Sequence, residues 1–70
     1  MKLSARNLLK GKIVKLVKGA VNSEVILELP GGDQIVSIIT NTSVESLNLK
    51  EGMDALAVIK ASNVMIAVED

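Results

Sequence analysis

Two stretches of this chain are apolar on both faces of an extended strand, and that pattern restricts its folding more than any other feature. From Gln34 to Thr40, Ile35 and Ile39 fall on one face while Val36 and Ile38 fall on the other. From Val64 to Val68 the same two-faced pattern returns. A small sheet with one solvated face alternates apolar and polar residues along each strand. Strands apolar on both faces therefore call for cover on both sides, by closure of a barrel or by a partner subunit.

The rest of the chain reads as strands and turns. Leu8 to Lys18 is a first strand, in which aliphatic residues alternate imperfectly with lysines, and Gly19-Ala20 breaks it. Ser23 to Leu29 is the clearest strand, with Glu24, Ile26 and Glu28 on one face and Val25, Leu27 and Leu29 on the other. Pro30-Gly31-Gly32-Asp33 is a turn, because glycine takes positive φ without steric cost, so the second and third strands form a hairpin. After the third strand, Thr42 with Glu45 three residues later reads as a capping box that opens one or two helical turns, closed before Gly52. A fourth strand runs from Met53 or Asp54 to Lys60, and Val64 to Val68 is a fifth. The expected fold is all-β: an OB-like Greek-key barrel of five strands with one short helix after the third.

Length and composition narrow the function. Seventy residues make one domain at most, here spanning 1–70, and a domain of that size hides a modest share of its surface. Yet 49% of the residues are hydrophobic, nearly all aliphatic, with no Phe, Trp or Tyr. The surplus is expected to lie against other copies of the chain, a compact Val- and Ile-rich monomer being the alternative. The absence of His and Cys removes the usual zinc sites, thiol nucleophiles and Ser-His-Asp triads. The acidic residues have no plausible catalytic neighbours, so an enzyme is not expected. No signal peptide or membrane-spanning segment is visible, and a cytoplasmic location is expected with no membrane partner.

The net charge is zero but the charges are segregated. Lys2, Arg6, Lys10, Lys12, Lys15 and Lys18 give the first twenty residues six cations and no acid, whereas the remaining fifty carry Lys50 and Lys60 against eight acids. Such a basic segment could meet nucleic acid, but without aromatic rings to stack on bases a single-strand site loses its usual contribution. Pairing with the acidic remainder of the same or a neighbouring subunit is favoured, and no nucleic-acid partner is expected.

Two polar clusters carry the clue to function: Ser4-Ala5-Arg6-Asn7 and Lys60-Ala61-Ser62. Each joins one permanent cation to small donors. A tetrahedral oxyanion needs donors from several directions to replace its lost hydration. Arg6 offers a fork of N–H groups, Lys60 a compact ammonium, and Ser4, Thr40, Ser43 and Ser62 offer hydroxyls. Ala5 and Ala61 leave room for backbone N–H groups to approach. Taken singly, Arg6 reads as a solvated cation, Lys60 as a strand terminator and Ser43 as helix support. Spacing alone does not bring them together.

The stretches Ser4–Asn7, Lys18–Val25, Ser37–Thr40 and Ala57–Ser62 resemble the Mop family, the molybdenum-pterin-binding proteins or molbindins, also called the Mop or TOBE-like domain. The similarity covers essentially all seventy residues. The resemblance implies an OB-like barrel, a homohexamer built as a trimer of dimers, and molybdate, or related tungstate, bound at subunit interfaces with no metal ligated directly by protein. It implies a main oxyanion site in which Ser4 and Arg6, flanked by Ala5 and Asn7, come from one subunit. Thr40, Ser43 and Lys60, with Ala61 and Ser62 adjacent, come from a neighbour. A second type of anion site would involve Ala20, Val21 and Asn22. The function implied is cytoplasmic molybdate binding for storage or homeostasis. Whether a molybdopterin is carried is left open by the residues. Two rivals stand beside it: a small nucleic-acid-binding OB module, and an oxyanion-sensing regulatory or scaffold domain.

Overall fold

A computed structural model describes the whole chain from Met1 to Asp70. Four strands, β1 (Asn7–Lys18), β2 (Asn22–Glu28), β3 (Gln34–Thr40) and β4 (Asp54–Ile59), form one antiparallel sheet in the order β3-β2-β1-β4. The helix α1 (Asn41–Ser46) follows β3 directly, and a 3-10 turn (Ala61–Asn63) follows β4. The predicted hairpin is present: β2 and β3 pair from Glu28 with Gln34 to Asn22 with Thr40, and Gly32 at φ 95° makes the turn.

The long strand β1 is shared between two neighbours. Its first half pairs with β4, from Asn7 opposite Ile59 to Lys12 opposite Asp54. Its second half pairs with β2, from Lys12 opposite Glu28 to Lys18 opposite Ser23. A register shift between Ile13 and Lys15 marks the handover. Such an irregularity bends a strand and increases its twist. The turn before β4 satisfies the backbone groups around the bend. Gly52 N–H donates to Ile13 O at 2.7 Å, Ile13 N–H donates to Met53 O at 2.9 Å, and Leu16 N–H donates to Glu51 Oε2 at 3.0 Å. Gly11, just before the bend, is packed so closely that a Cβ there would lie 2.6 Å from Glu28 O.

The bend curls the sheet into a half-barrel. Ile13, Val25 and Leu27 are its buried centre, with Leu16, Ile35, Ile39, Leu49, Ala55 and Ala57 packed around them. Between the two sheet edges, β3 and β4, lies a trough of about 780 Å³ lined almost wholly by apolar side chains. On the outer face Val36 and Ile38 remain 59% and 60% exposed, the uncovered second face that the sequence pattern of β3 indicates.

Two expectations are corrected. The half-barrel has four hydrogen-bonded strands in place of five, because Val64–Val68 joins no ladder and its residues are exposed. The 3-10 turn carries this segment off the end of β4. The helix is also capped two residues earlier than the Thr42–Glu45 box implies. Thr40 is the N-cap, and its Oγ1 accepts the Ser43 N–H at 3.1 Å. Thr40 retains extended dihedrals as the last residue of β3, the backbone state an N-cap requires. Of the six early cations, Lys12 alone makes an ion pair, an exposed one with Asp54 at 3.2 Å.

Candidate functional site

The candidate residues fall into two groups. The first is basic. Because Asn7 pairs with Ile59, Arg6 and Lys60 follow at the next position outward on adjacent strands. Asn7 Nδ2 donates to Ile59 O at 3.2 Å and ties the two strand ends together. Lys60 then precedes the 3-10 turn that presents Ala61 and Ser62, its carbonyl accepting the Asn63 N–H at 2.9 Å. Ser4, Arg6, Lys60, Ala61 and Ser62 are all exposed, with Ala5 and Asn7 half-buried. Neither Arg6 nor Lys60 has an acidic partner, since the only ion pair in the chain is Lys12 with Asp54.

The second group is made of hydroxyls and amides. Thr40 Oγ1 donates to Ser43 Oγ at 2.8 Å while accepting the Ser43 N–H. With its oxygen already accepting, Ser43 can direct its own proton outward. The Ala20-Val21-Asn22 turn lies beside this pair, because Asn22 is opposite Thr40 in the β2–β3 ladder and Asn41 N–H donates to Val21 O at 2.8 Å. This group carries no cation of its own apart from Lys18 at the end of β1.

The two groups sit at opposite ends of β1. Asn7 opens that strand beside Lys60, and Lys18 closes it beside Ser23 and the Thr40 corner. Eleven residue steps separate them, about 36 Å of strand contour. Within one chain, Lys60 thus keeps company with Arg6 rather than with Thr40 and Ser43. Each end offers hydrogen-bond donors of a different kind: two cations at one, an ordered hydroxyl pair at the other.

Sequence reading overlooked Ser23 and Asn41, which organise the hydroxyl end. Ser23 is 2% exposed and its hydroxyl donates to Asn41 Oδ1. The signal was available in the alternation of β2, where Ser23 shares the interior face with Val25 and Leu27 and is polar where its face-mates are apolar.

No group of three or more His, Cys, Asp or Glu side chains is placed to hold a metal ion, and no helix is long and apolar enough to cross a membrane. The curled antiparallel sheet, the short helix and the donor-rich strand ends define a small OB-like binding domain. Comparison with known proteins makes the assignment specific. The TOBE domain family model matches residues 3–66, and the chain belongs to that family. Molybdenum-pterin-binding protein 1 of Clostridium pasteurianum is 56% identical over 66 residues, covering 94% of this chain and 97% of the relative. The MopII structure from the same organism superposes with a TM-score of 0.90 at 54% identity, over 96% of this chain and all of that one. The cytoplasmic molybdate-binding protein ModG, in a form with molybdate bound, superposes with a TM-score of 0.89 at 52% identity, over 93% of this chain and 46% of that one. The chain is thus a binding domain of a family of binding proteins rather than an enzyme.

Proposed function

We propose that this chain, one domain over residues 1–70, binds molybdate in the cytoplasm for storage or homeostasis of the oxyanion, in cages formed between copies of the chain. One observation carries the reading. The unpaired Arg6 and Lys60 stand at one end of β1, and the ordered Thr40–Ser43 pair stands at the other. A cage that uses both needs the basic end of one copy against the hydroxyl end of another. Two cations balance a divalent anion, and charge-assisted hydrogen bonds from them are stronger than neutral ones. Ser4, Ser62 and the backbone near Ala5, Asn7 and Ala61 complete the shell, and the Ala20-Val21-Asn22 turn serves a second anion. The names and described ligand of the relatives support molybdate as the guest. Tungstate, of the same charge and shape, fits the same donors.

Assembly has its own support. Only three apolar side chains are buried in the single chain, while Met65, Ile66 and Val68 are 86–93% exposed. The apolar trough between β3 and β4 is the surface that matches such a segment, and a neighbouring copy supplies one. The homohexamer, a trimer of dimers, follows from the family resemblance. Because a ligand that binds only the assembled form stabilises it by mass action, molybdate should raise the thermal midpoint of the assembly, while chloride at equal ionic strength should not. Absence of a molybdate-dependent shift, together with absence of heat in a calorimetric titration, ends the proposal.

A further inference from the structure

Asn41 sits between the two loops that the hydroxyl end presents, and nearly every polar group it owns is engaged there. Its backbone N–H donates to Val21 O at 2.8 Å, and its Nδ2 donates to Gly19 O at 2.9 Å. Its Oδ1 accepts from the buried Ser23 hydroxyl. Gly19 N–H in turn donates to Asn22 O at 2.8 Å, closing the turn on itself. Asn41 is also the first residue of α1, adjacent to the N-cap Thr40 whose hydroxyl meets Ser43. A single side chain therefore ties the Gly19–Asn22 turn to the strand–helix corner, and its anchor is a hydroxyl shielded from water.

We propose that Asn41, anchored by Ser23, is a positioning residue that holds Thr40, Ser43 and the Gly19–Asn22 turn as one rigid unit ready for an oxyanion. The proposal rests on the reading that Thr40 and Ser43 serve the anion. The physical reason is pre-organisation: donors already held in place lose less freedom when the guest arrives. The geometry of the amide is specific to the task. An aspartate at 41 keeps an acceptor for Ser23 but loses the donor to Gly19 O, and an alanine loses both. Removing Ser23's hydroxyl leaves Asn41 Oδ1 without its buried donor.

The test is calorimetric titration with sodium molybdate of wild type, Ser23→Ala, Asn41→Ala, the double variant and Thr40→Ala. Each is measured well below its own thermal midpoint. Ser23→Ala and Asn41→Ala should each weaken binding by about tenfold, the scale of one net hydrogen bond. In the Asn41→Ala background, Ser23→Ala should cost no further affinity, because its effect passes through Asn41. A residue important only for stability would lower the midpoint of the double variant further and leave affinity unchanged. Unchanged affinity in Ser23→Ala and Asn41→Ala, with Thr40→Ala weakened, overturns the positioning role and leaves the anion site standing. Unchanged affinity in Thr40→Ala as well removes the hydroxyl end from the anion site, and the positioning role of Asn41 falls with it. Should Asn41→Ala fail to fold, Ser23→Ala decides the matter alone, since it deletes a single oxygen.

Discussion

The two ends of β1 differ in what they bring to an anion. The basic end carries charge without order: Arg6 and Lys60 are exposed, unpaired and held only through the backbone of adjacent strand ends. The hydroxyl end carries order without much charge: Thr40 is hydrogen-bonded to Ser43, and Asn41, next in the chain, is hydrogen-bonded to Ser23 and Gly19. Cations attract an anion from a distance. Fixed dipoles define where its oxygens go. A chain that keeps the two apart along β1 leaves its cations free of competing partners, and in the proposed cage capture depends on meeting another copy.

That contrast can be broken most severely by removing what is proposed to join the copies. Truncation after Asn63 deletes Met65, Ile66 and Val68, whose burial against a partner is worth on the order of 5–9 kcal/mol per tail before ordering costs. Sedimentation equilibrium should show monomers, and molybdate binding should vanish with assembly. Retention of the full oligomer by the truncated chain overturns the role of the tail. Next comes the strand that separates the two ends. Gly11→Ala places a Cβ 2.6 Å from Glu28 O and 2.9 Å from Leu27 Cγ. It should destabilise the fold by about 1–3 kcal/mol, the usual scale of overpacking, visible as a lower denaturant midpoint.

The basic end is tested by affinity. Arg6→Ala and Lys60→Ala should each cost roughly 1.5–3 kcal/mol of molybdate binding, the range for a hydrogen bond to a charged group. Lys12→Ala removes a cation whose exposed pair with Asp54 is worth under about 1 kcal/mol and should barely change affinity. Equal losses from all three variants point to diffuse attraction and erase the distinction between the ends. The smallest effect belongs to stability at the hydroxyl end. Thr40→Ala removes the N-cap of α1 and should lower folding stability by about 1 kcal/mol in chemical denaturation, because the Ser43 N–H loses its acceptor.

Much of this was legible in the residues. The β2–β3 hairpin was visible because Pro30-Gly31-Gly32-Asp33 separates two runs of clean alternation. The helix after β3 was visible in the Thr42–Glu45 box, but its N-cap is Thr40. The choice of Thr40 depends on where β3 pairing stops, which only the register with β2 decides. The fifth strand was misplaced for a related reason. Val64–Val68 has strand composition, but composition does not name a partner, and the turn at Lys60–Asn63 leads it away from its own sheet. Ser23 and Asn41 escaped notice because each is an ordinary polar residue until β2 and α1 are set side by side.

The sequence by itself determined that the chain carries stretches apolar on both faces, places two cations next to small donors, and has neither His nor Cys. Those are local properties, set by alternation, residue type and the conformational freedom of a few glycines. Only the tertiary structure decided that Arg6 lies beside Lys60, that both are a strand's length from Thr40 and Ser43, and that Asn41 closes on Ser23. Those depend on strand register and on the bend at Ile13–Lys15, and register is fixed by many weak contacts acting together along whole strands.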